Sequence, residues 1–327
     1  MGFFIALVCA YTQRTVLSLL FIMNNSLCIW VDAARPKTLP LALVSILTGS
    51  VLAFSVGSWS WPVTGLALLT ATLLQILSNL ANDYGDALKG TDNEQRLGPM
   101  RAIQSGAVSL ADMKQAMIIN VLLTIVSGLA LVFYALDSAQ SIAAFLALGV
   151  LAILAAIAYT VGNKPYGYVG LGDVSVFIFF GLLGVSGSYF LHTGQIEWRL
   201  LLPSVGCGLL AVSVLNINNM RDIENDALCG KRTVVVRLGQ QRAKVYHLLL
   251  LAGALCAFAS YLLIQDRSAW LSAPFLFSLM VLINHGRAVY RTSQPVQMAP
   301  LLPNAVKCAL VTNVLFISVV IAQTILR

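Results

Sequence analysis

Long apolar stretches separated by polar connections run along almost the whole chain. A helix that crosses a lipid bilayer needs about 20 consecutive, mostly apolar residues. By that criterion the sequence predicts nine membrane-spanning helices, at residues 39–57, 61–81, 115–135, 141–161, 171–191, 200–219, 245–264, 269–285 and 305–326. The predicted fold class is therefore all-α, a polytopic membrane helix bundle.

The connections between these stretches are alternately short and long. The short ones lie at 57–61, 136–140 and 192–199, and the long, polar ones lie at 82–114, 219–244 and 286–304. Because successive connections fall on opposite sides of the membrane, all the long ones share one face. Most Lys and Arg residues lie on that face, whereas the opposite connections hold only Arg199 and Arg267. The positive-inside rule then places the long connections and the N-terminus in the cytoplasm.

Composition supports the membrane assignment and narrows the range of partners. Of the 327 residues, 58% are hydrophobic and 10% are charged, whereas soluble domains carry about 25% charged residues. The net charge of +7 is explained by the basic cytoplasmic connections, so the expected partner is the lipid bilayer and no nucleic acid is predicted. Six scattered cysteines and three histidines show no metal-ligand or disulfide spacing.

The first residues do not fit the regular pattern. Two apolar pieces, 3–10 and 16–23, are separated by the segment 11–14, and no basic residue precedes the first piece. A signal peptide is therefore disfavoured, and a short extra hydrophobic hairpin remains open. We predict an N-terminal extension at 1–29 that the protein does not need, followed by one transmembrane domain at 30–327.

Seven of the thirteen acidic residues lie in two short segments. In each, two oxygen-bearing side chains stand four residues apart at the end of a predicted helix, Asn82 and Asp86 in the first and Asp222 and Asp226 in the second. Residues at that spacing share one helix face. The offset between the pairs is 140 residues in both cases (222 − 82 and 226 − 86), which indicates an old duplication of a four-helix unit. Membrane proteins often place their sites between such repeats.

These side chains predict a metal and phosphate site. A carboxylate at mid-bilayer costs on the order of 2–3 kcal/mol, so a cation must offset the cost. Oxygen ligands without His or Cys favour Mg²⁺. Basic side chains that could bind phosphate oxygens lie beside both segments and on the connection between them: Lys89, Lys164, Lys231 and Arg232. Solvated loop charges are the plain alternative, but the pattern occurs twice at matched positions.

At these residues the chain resembles the UbiA superfamily of intramembrane aromatic prenyltransferases. The family's signature is NxxxD after the second helix and DxxxD after the sixth, and Asn82-x-x-x-Asp86 and Asp222-x-x-x-Asp226 match it. Asp92 departs from the usual spacing because it stands six residues after Asp86. That departure resembles the naphthoate branch of the family. So do three extended motifs: Lys89-Gly90-x-Asp92, Gly98-Pro99-x-Arg101 and Asn218-Asn219-x-Arg221-Asp222.

The resemblance, which runs from about Trp30 to the C-terminus, implies an activity and roles for these residues. The activity is Mg²⁺-dependent transfer of a polyprenyl group from its diphosphate to 1,4-dihydroxy-2-naphthoate in the bacterial inner membrane, with loss of carbon dioxide and diphosphate to give demethylmenaquinone. The catalytic metal ligands would be Asn82, Asp86, Asp222 and Asp226, with Asp83 and Asp92 at the metal or behind its ligands. The diphosphate-binding residues would be Lys89, Lys164, Lys231 and Arg232.

Other functions stay open on the sequence alone. Within the family, 4-hydroxybenzoate, homogentisate or haem could be the acceptor, and composition and spacing do not distinguish them. A cation or phosphate transporter would also explain acidic residues and repeats, but its acids belong at mid-bilayer. An assembly or scaffold protein of the membrane would not need the paired acids.

Overall fold

The computed structural model describes residues 27–265 and 269–326, and within them every regular element is helical. The helices are α1 Leu27–Ala34, α2 Leu39–Phe54, α3 Trp61–Leu88, α4 Leu110–Ala135, α5 Ala139–Ala158, α6 Gly172–Thr193, α7 Leu201–Arg221, α8 Ile223–Leu228, α9 Val234–Leu238, α10 Gln240–Ile264, α11 Leu276–Arg291 and α12 Leu301–Ile325. Short 3₁₀ turns lie at Tyr166–Val169, Trp198–Leu200, Ala273–Phe275 and Pro295–Met298, and a single α-helical turn lies at Ala269–Ser272. Residues 1–26 of the predicted extension at 1–29 lie outside the described residues, and α1 begins within that extension.

The prediction of an all-α membrane bundle is confirmed. Seven helices of the described part are long and apolar enough to cross a bilayer, and α1 and α2, bent by 53° at their junction, form an eighth candidate together. The predicted span at 269–285 is different. Here a 3₁₀ turn at Ala273–Phe275 precedes the 16-residue α11, because Pro274 lacks the N–H group that a continuous helix would need.

Helix α3 continues beyond the predicted span at 61–81. Its first turn contains Pro62, and the Ser60 hydroxyl caps it by accepting from the backbone N–H of Val63 at 3.4 Å. Both are favourable at a helix start. The chain offers no helix breaker before Gly90, whose φ is +68°. The first acidic motif therefore lies in the last turns of a continuous helix.

The second acidic motif crosses a helix end. Helix α7 ends at Arg221, Asp222 adopts non-helical torsions (φ −97°, ψ 13°), and the short α8 then begins at Ile223. The two members of the predicted repeat thus have different local backbones.

The hydrophobic core lies where α2, α7, α10, α11 and α12 meet. Phe258 of α10 and Phe316 of α12 are fully buried, with ring centroids 4.7 Å apart. By contrast, α5 buries none of its side chains completely. One side of α5 is partly buried against the bundle, where Phe145 and Ile153 pack, and the other is exposed, so α5 lies at the periphery with its apolar outer face toward lipid.

Helix α6 is wider than an ordinary α-helix over Phe177–Gly187, where its turns are π-helical. Glycines bring it close to its neighbours. A Cβ atom at Gly181 would lie 2.5 Å from the carbonyl oxygen of Ser204 in α7, and one at Gly184 would lie 3.0 Å from Cβ of Ser45 in α2. Small residues allow such close approach of helices in a membrane.

The two ends of the bundle have different contacts. At one end the Ser58 hydroxyl, in the short connection after α2, donates at 2.6 Å to the backbone carbonyl of His192 in the last turn of α6. At the other end the Asn225 side-chain amide donates to the Thr91 carbonyl at 2.9 Å, joining two long connections. Both acidic motifs therefore lie at the same end.

Candidate active site

The first motif lies where α3 meets the segment after α5. The Thr160 hydroxyl donates to the carbonyl of Ala81 at 2.8 Å. A Cβ atom at position 85 would lie 2.7 Å from the Thr160 backbone, so only glycine permits this contact. Gly85 thereby sets the position of the turn that carries Asn82 and Asp86.

The second motif lies on a chain segment that turns back on itself. The Asp226 N–H donates to the Asp222 carbonyl at 2.8 Å, and the Lys231 N–H donates to the Asp226 carbonyl at 2.7 Å. Gly230, with φ of +74°, makes the turn possible, because glycine adopts positive φ at little cost. This fold returns the Lys231 side chain toward Asp226.

Lys231 joins the two motifs. Its Nζ lies 3.9 Å from Oδ2 of Asp86 and 3.6 Å from Oδ1 of Asp226. Burial alone would lower the pKa of Lys231, but the nearby Asp86 and Asp226 carboxylates outweigh burial and raise that pKa. The ammonium group therefore stays charged between two carboxylates contributed by residues 140 positions apart in sequence (226 − 86).

Tyr168 was missed in the sequence and is central to the site. Its hydroxyl donates to Oδ1 of Asp86 at 2.7 Å and lies 2.6 Å from the Thr91 hydroxyl. Nζ of Lys89 and Nζ of Lys231 lie 5.5 and 5.4 Å from the centroid of its ring, within the range of a cation–π contact. Burial and the neighbouring Asp86 raise the pKa of the Tyr168 phenol, so it remains a hydrogen-bond donor.

Two arginines that the sequence analysis did not place in the site surround Asp222. Arg221 donates to both of its oxygens, at 2.9 Å from Nε and 2.5 Å from Nη2. Nε of Arg96 lies 3.9 Å from Asp222 and 3.2 Å from Oδ1 of Asp92. Arg96 thus connects Asp92 to Asp222 of the second motif.

Three of the predicted site residues are not brought into this cluster. Asp83 is buried in an ion pair with Arg35, and Arg101 Nε lies 3.5 Å away. The side chains of Lys164 and Arg232 are exposed and form no ion pair within the described residues. Arg232 contacts the site through its backbone N–H, which donates to the Tyr168 carbonyl at 2.9 Å.

The oxygen atoms of the cluster are poorly satisfied by the protein itself. Oδ1 of Asn82 and both carboxylate oxygens of Asp92 are buried without a hydrogen-bond donor. Burial, partly offset by Arg96, raises the pKa of Asp92 to about 6. Burial, partly offset by Lys231 and reinforced by Asp222, raises that of Asp226 to about 6. A buried polar atom without a partner is costly, so these groups are suited to a cation.

The donor set fits Mg²⁺ bound together with a diphosphate. In the part of the chain that the structure describes, no three His, Cys, Asp or Glu side chains form a metal cage by themselves. Mg²⁺ needs no such cage, because it usually binds one or two carboxylates, waters and substrate phosphates. Lys231 and Lys89 lie where they can contact the remaining phosphate oxygens.

The signals for the missed residues were weak. Tyr168 lies between Gly167 and Gly170, and nothing in its spacing relates it to Asp86. Arg221 belonged only to an extended motif, and Arg96 stands two residues before another, Gly98-Pro99-x-Arg101. The burial of Tyr168, two residues before the positive-φ Gly170 (φ +83°), is visible only in three dimensions.

Comparisons with known proteins agree on one family. The model of the UbiA prenyltransferase family matches residues 42–302. The chain is 51% identical over 288 residues to 1,4-dihydroxy-2-naphthoate octaprenyltransferase of Escherichia coli (strain K12), a match that covers 88% of this chain and 93% of the relative.

Solved structures show the same fold. The apo structure of a UbiA homolog from Aeropyrum pernix K1 superimposes with a TM-score of 0.63 at 16% identity, covering 86% of this chain and 97% of that one. A UbiA homolog from Archaeoglobus fulgidus bound to DMAPP and Mg²⁺ gives a TM-score of 0.57 at 16% identity, covering 89% and 99%.

Proposed function

The chain belongs to the UbiA prenyltransferase family, and we propose that it transfers a polyprenyl group from a polyprenyl diphosphate to 1,4-dihydroxy-2-naphthoate. The reaction belongs to menaquinone biosynthesis. The names of the relatives that share half or nearly half of their residues with it support this acceptor. The observation that carries the chemistry is Lys231 held between Asp86 and Asp226, which joins both acidic motifs in one site.

We propose that Asn82, Asp86, Asp222 and Asp226 hold Mg²⁺, with Asp92 at its edge. The oxygens of Asn82 and Asp92 that accept no hydrogen bond and the two carboxylates beside Lys231 support this assignment. When bound, Mg²⁺ would stabilise the negative charge that develops on the departing diphosphate. The Mg²⁺ in the structure of the Archaeoglobus fulgidus homolog is consistent with it.

The basic residues of the site would bind the same leaving group. Lys231, with its raised pKa, and Lys89 can donate to diphosphate oxygens and stabilise them as the C–O bond lengthens. Tyr168 orients Asp86 by donating to it, and Arg221 and Arg96 orient Asp222. Lys164 and Arg232, exposed at the same end of the bundle, would attract the anion on its way to the site.

The reaction then follows from ionisation of the donor. The allylic C–O bond breaks, both electrons leave with diphosphate, and an allylic cation remains. The ring carbon of the naphthoate that bears the carboxylate donates an electron pair to form the new C–C bond. The bond to the carboxylate then breaks, carbon dioxide leaves, and its electron pair restores the aromatic ring. The product is demethylmenaquinol, which becomes demethylmenaquinone when it is later oxidised.

A water-poor site protects the cation. The Asp226 side chain is 3% exposed and that of Asp222 is 7% exposed, so the reacting carbon lies beside groups that bulk water reaches poorly. Exclusion of water prevents hydrolysis of a reactive intermediate. The isoprenoid tail, which has no polar groups, can extend from the site along the apolar helices into lipid.

A turnover assay with labelled acceptor tests the proposal. Purified protein is given carboxyl-labelled 1,4-dihydroxy-2-naphthoate and a polyprenyl diphosphate, and labelled carbon dioxide and a lipid-soluble naphthoquinone are measured. We expect one carbon dioxide for each prenylated product. Efficient transfer to 4-hydroxybenzoate or homogentisate with none to the naphthoate would assign the chain to another acceptor, and no transfer to any aromatic ring would refute the proposal.

A further inference from the structure

A groove open to the side of the bundle runs between α10 and α11, away from the acidic motifs along the chain. Its volume is about 360 Å³, and over most of its length its walls are apolar side chains such as Leu251, Leu255, Leu279 and Ile283. Leu279 and Ile283 are 43% and 40% exposed, so this surface of the two helices is not covered within the described chain. In a membrane, such a surface faces lipid chains.

The groove is basic at one end only. Arg287, Tyr290 and Arg291, in the last turns of α11, line that end. Both arginines are exposed, and within the described residues neither forms an ion pair or a hydrogen bond. The buried Lys244 close by is already bound to the carbonyl of Thr292. Two free guanidinium groups therefore meet an apolar channel at the end of the bundle that carries the acidic motifs.

The length of the groove matches one leaflet of the bilayer. From Leu279 to Arg291 the helix rises about 18 Å, at 1.5 Å per residue. Half of the hydrocarbon core of a bilayer is about 15 Å. The basic end then lies at the headgroup level and the apolar end near the bilayer centre, which is the span of a single phospholipid acyl chain.

A glycine keeps the groove open. A Cβ atom at Gly286 would lie 2.7 Å from Cδ2 of Leu248 on the facing helix, so a larger residue there would push side chains into the space. The exposed Ala252 on α10 likewise leaves room. Both small residues lie between the arginine end and the leucine end of the groove.

We propose that this groove binds an anionic phospholipid, with its phosphate at Arg287 and Arg291 and one acyl chain between α10 and α11. Charge complementarity selects this occupant. A transmembrane helix from a second copy would leave both arginines without an anion, and a zwitterionic lipid would satisfy them less well. Basic pockets between membrane helices on one side of a bilayer are known to bind acidic lipid headgroups.

Native mass spectrometry of the purified full-length protein in detergent tests the headgroup. Phosphatidylglycerol and phosphatidylethanolamine of the same chain length are titrated separately, and the fraction of protein that retains one lipid is measured. We expect retention of phosphatidylglycerol to exceed that of phosphatidylethanolamine. One basic residue near an acidic lipid contributes about 1 kcal/mol, so Arg287→Gln or Arg291→Gln should weaken retention roughly 5-fold, and both together roughly 30-fold.

A second substitution tests the acyl chain without changing charge. Ala252→Trp should fill the groove and reduce retention, whereas Ala147→Trp, at an exposed position of the lipid-facing α5, should not. Lys114→Gln, an exposed basic position at the start of α4, serves as the matched charge control and should retain lipid normally. Equal retention of both lipids, or unchanged retention in the double arginine variant or in Ala252→Trp, would overturn the proposal. So would a dimer that Ala252→Trp converts to a monomer with lipid retention unchanged.

Discussion

At the scale of single residues, Lys231 is the point through which the two acidic motifs act together. It lies 3.9 Å from Asp86 and 3.6 Å from Asp226, and Tyr168 supports the same arrangement from the other side of Asp86. Removing a carboxylate would leave Lys231 with only one acidic partner and the proposed Mg²⁺ without a ligand. The residues with the largest effect on turnover are therefore those that touch Lys231.

We predict that Asp86→Ala or Asp226→Ala lowers the turnover rate at least about 100-fold, the scale seen when a charge-stabilising group is removed from an active site. Membrane insertion should be unchanged, because neither side chain belongs to an apolar spanning stretch. Glu224→Gln is the matched control, since Glu224 is exposed two residues before Asp226. EDTA should abolish turnover of the unaltered protein, and added Mg²⁺ should restore it. Full activity in either Asp variant would remove the basis of the metal site.

The hydroxyl of Tyr168 provides a second prediction at this scale. A hydrogen bond to a charged group contributes about 1.5–3 kcal/mol, so Tyr168→Phe should lower the turnover rate roughly 10-fold or more while leaving the ring between the lysines. Tyr166→Phe is the comparison, because that hydroxyl donates to Ala155 and contacts Ser175 instead of the acids. Equal rates for the two variants would show that Asp86 needs no orientation by Tyr168.

The sequence indicated candidate residues for the chemistry but not the partners of those residues. The spacing of Asn82, Asp86, Asp222 and Asp226 depends on local chain geometry, so it could be recognised without a structure. Asp83 belongs to the same segment, yet it is turned to Arg35 and Arg101 because adjacent residues of a helix point in different directions. Partners such as Tyr168 are set by tertiary packing and carry no local signal.

At the scale of helices, hydropathy located the spans well and their ends poorly. Helix α3 runs seven residues beyond its predicted end (88 − 81), since the hydropathy criterion stops at Asn82 although the backbone hydrogen bonds continue. Near α11 the predicted span began too early, because Pro274 lies in a 3₁₀ turn and α11 begins only after that turn. Apolar length measures what can enter lipid, whereas helix ends depend on caps, prolines and tertiary contacts.

The contacts of α1 lead to a prediction about the N-terminus. Arg35, just after α1, forms an ion pair with Asp83, and the Asn79 amide donates to the Ala34 carbonyl at 2.9 Å. A chain that begins at Met23 retains these contacts and should insert and turn over normally. A chain that begins at Leu39 loses both, leaves Asp83 buried with Arg101 alone, and should be unstable in detergent. Thermal unfolding and turnover of the two truncations distinguish these outcomes, and failure of the longer one would show that residues 1–22 are needed.

At the scale of the whole molecule, the bundle carries its long, charged connections at one end and its short connections at the other. The long connections meet at the acidic cluster, and the short ones meet around Ser58 and His192. The structure therefore agrees with the alternation of connections expected from the sequence. It leaves the side of the membrane as a prediction from the positive-inside rule.

Reporter fusions test that orientation. Fusions after Lys89, Lys164 and Arg237 should report a cytoplasmic location, and fusions after Asp137 and His192 should report an external one. The reason is that basic residues concentrate at the acidic end of the bundle. If all five reported the reverse, the bundle would be inverted as a unit. If Lys89 and Arg237 reported opposite sides, the shared site itself would be contradicted.

The position of the charged cluster at one end also determines how the proposed reaction finishes. The residues that would bind the donor most strongly, above all Lys231 and Lys89, would do so through its diphosphate. The prenylated product no longer carries the diphosphate charge. Added diphosphate should therefore inhibit competitively against the prenyl donor, whereas the lipid product should inhibit weakly even at high membrane concentration. Steady-state rates measured with each product added separately would show the difference. Strong inhibition by the quinone would mean that the site holds the ring as firmly as the anion. With weak inhibition, the two products leave in different directions, diphosphate to water and the quinone to lipid. The enzyme is then not slowed by the quinone pool that it fills.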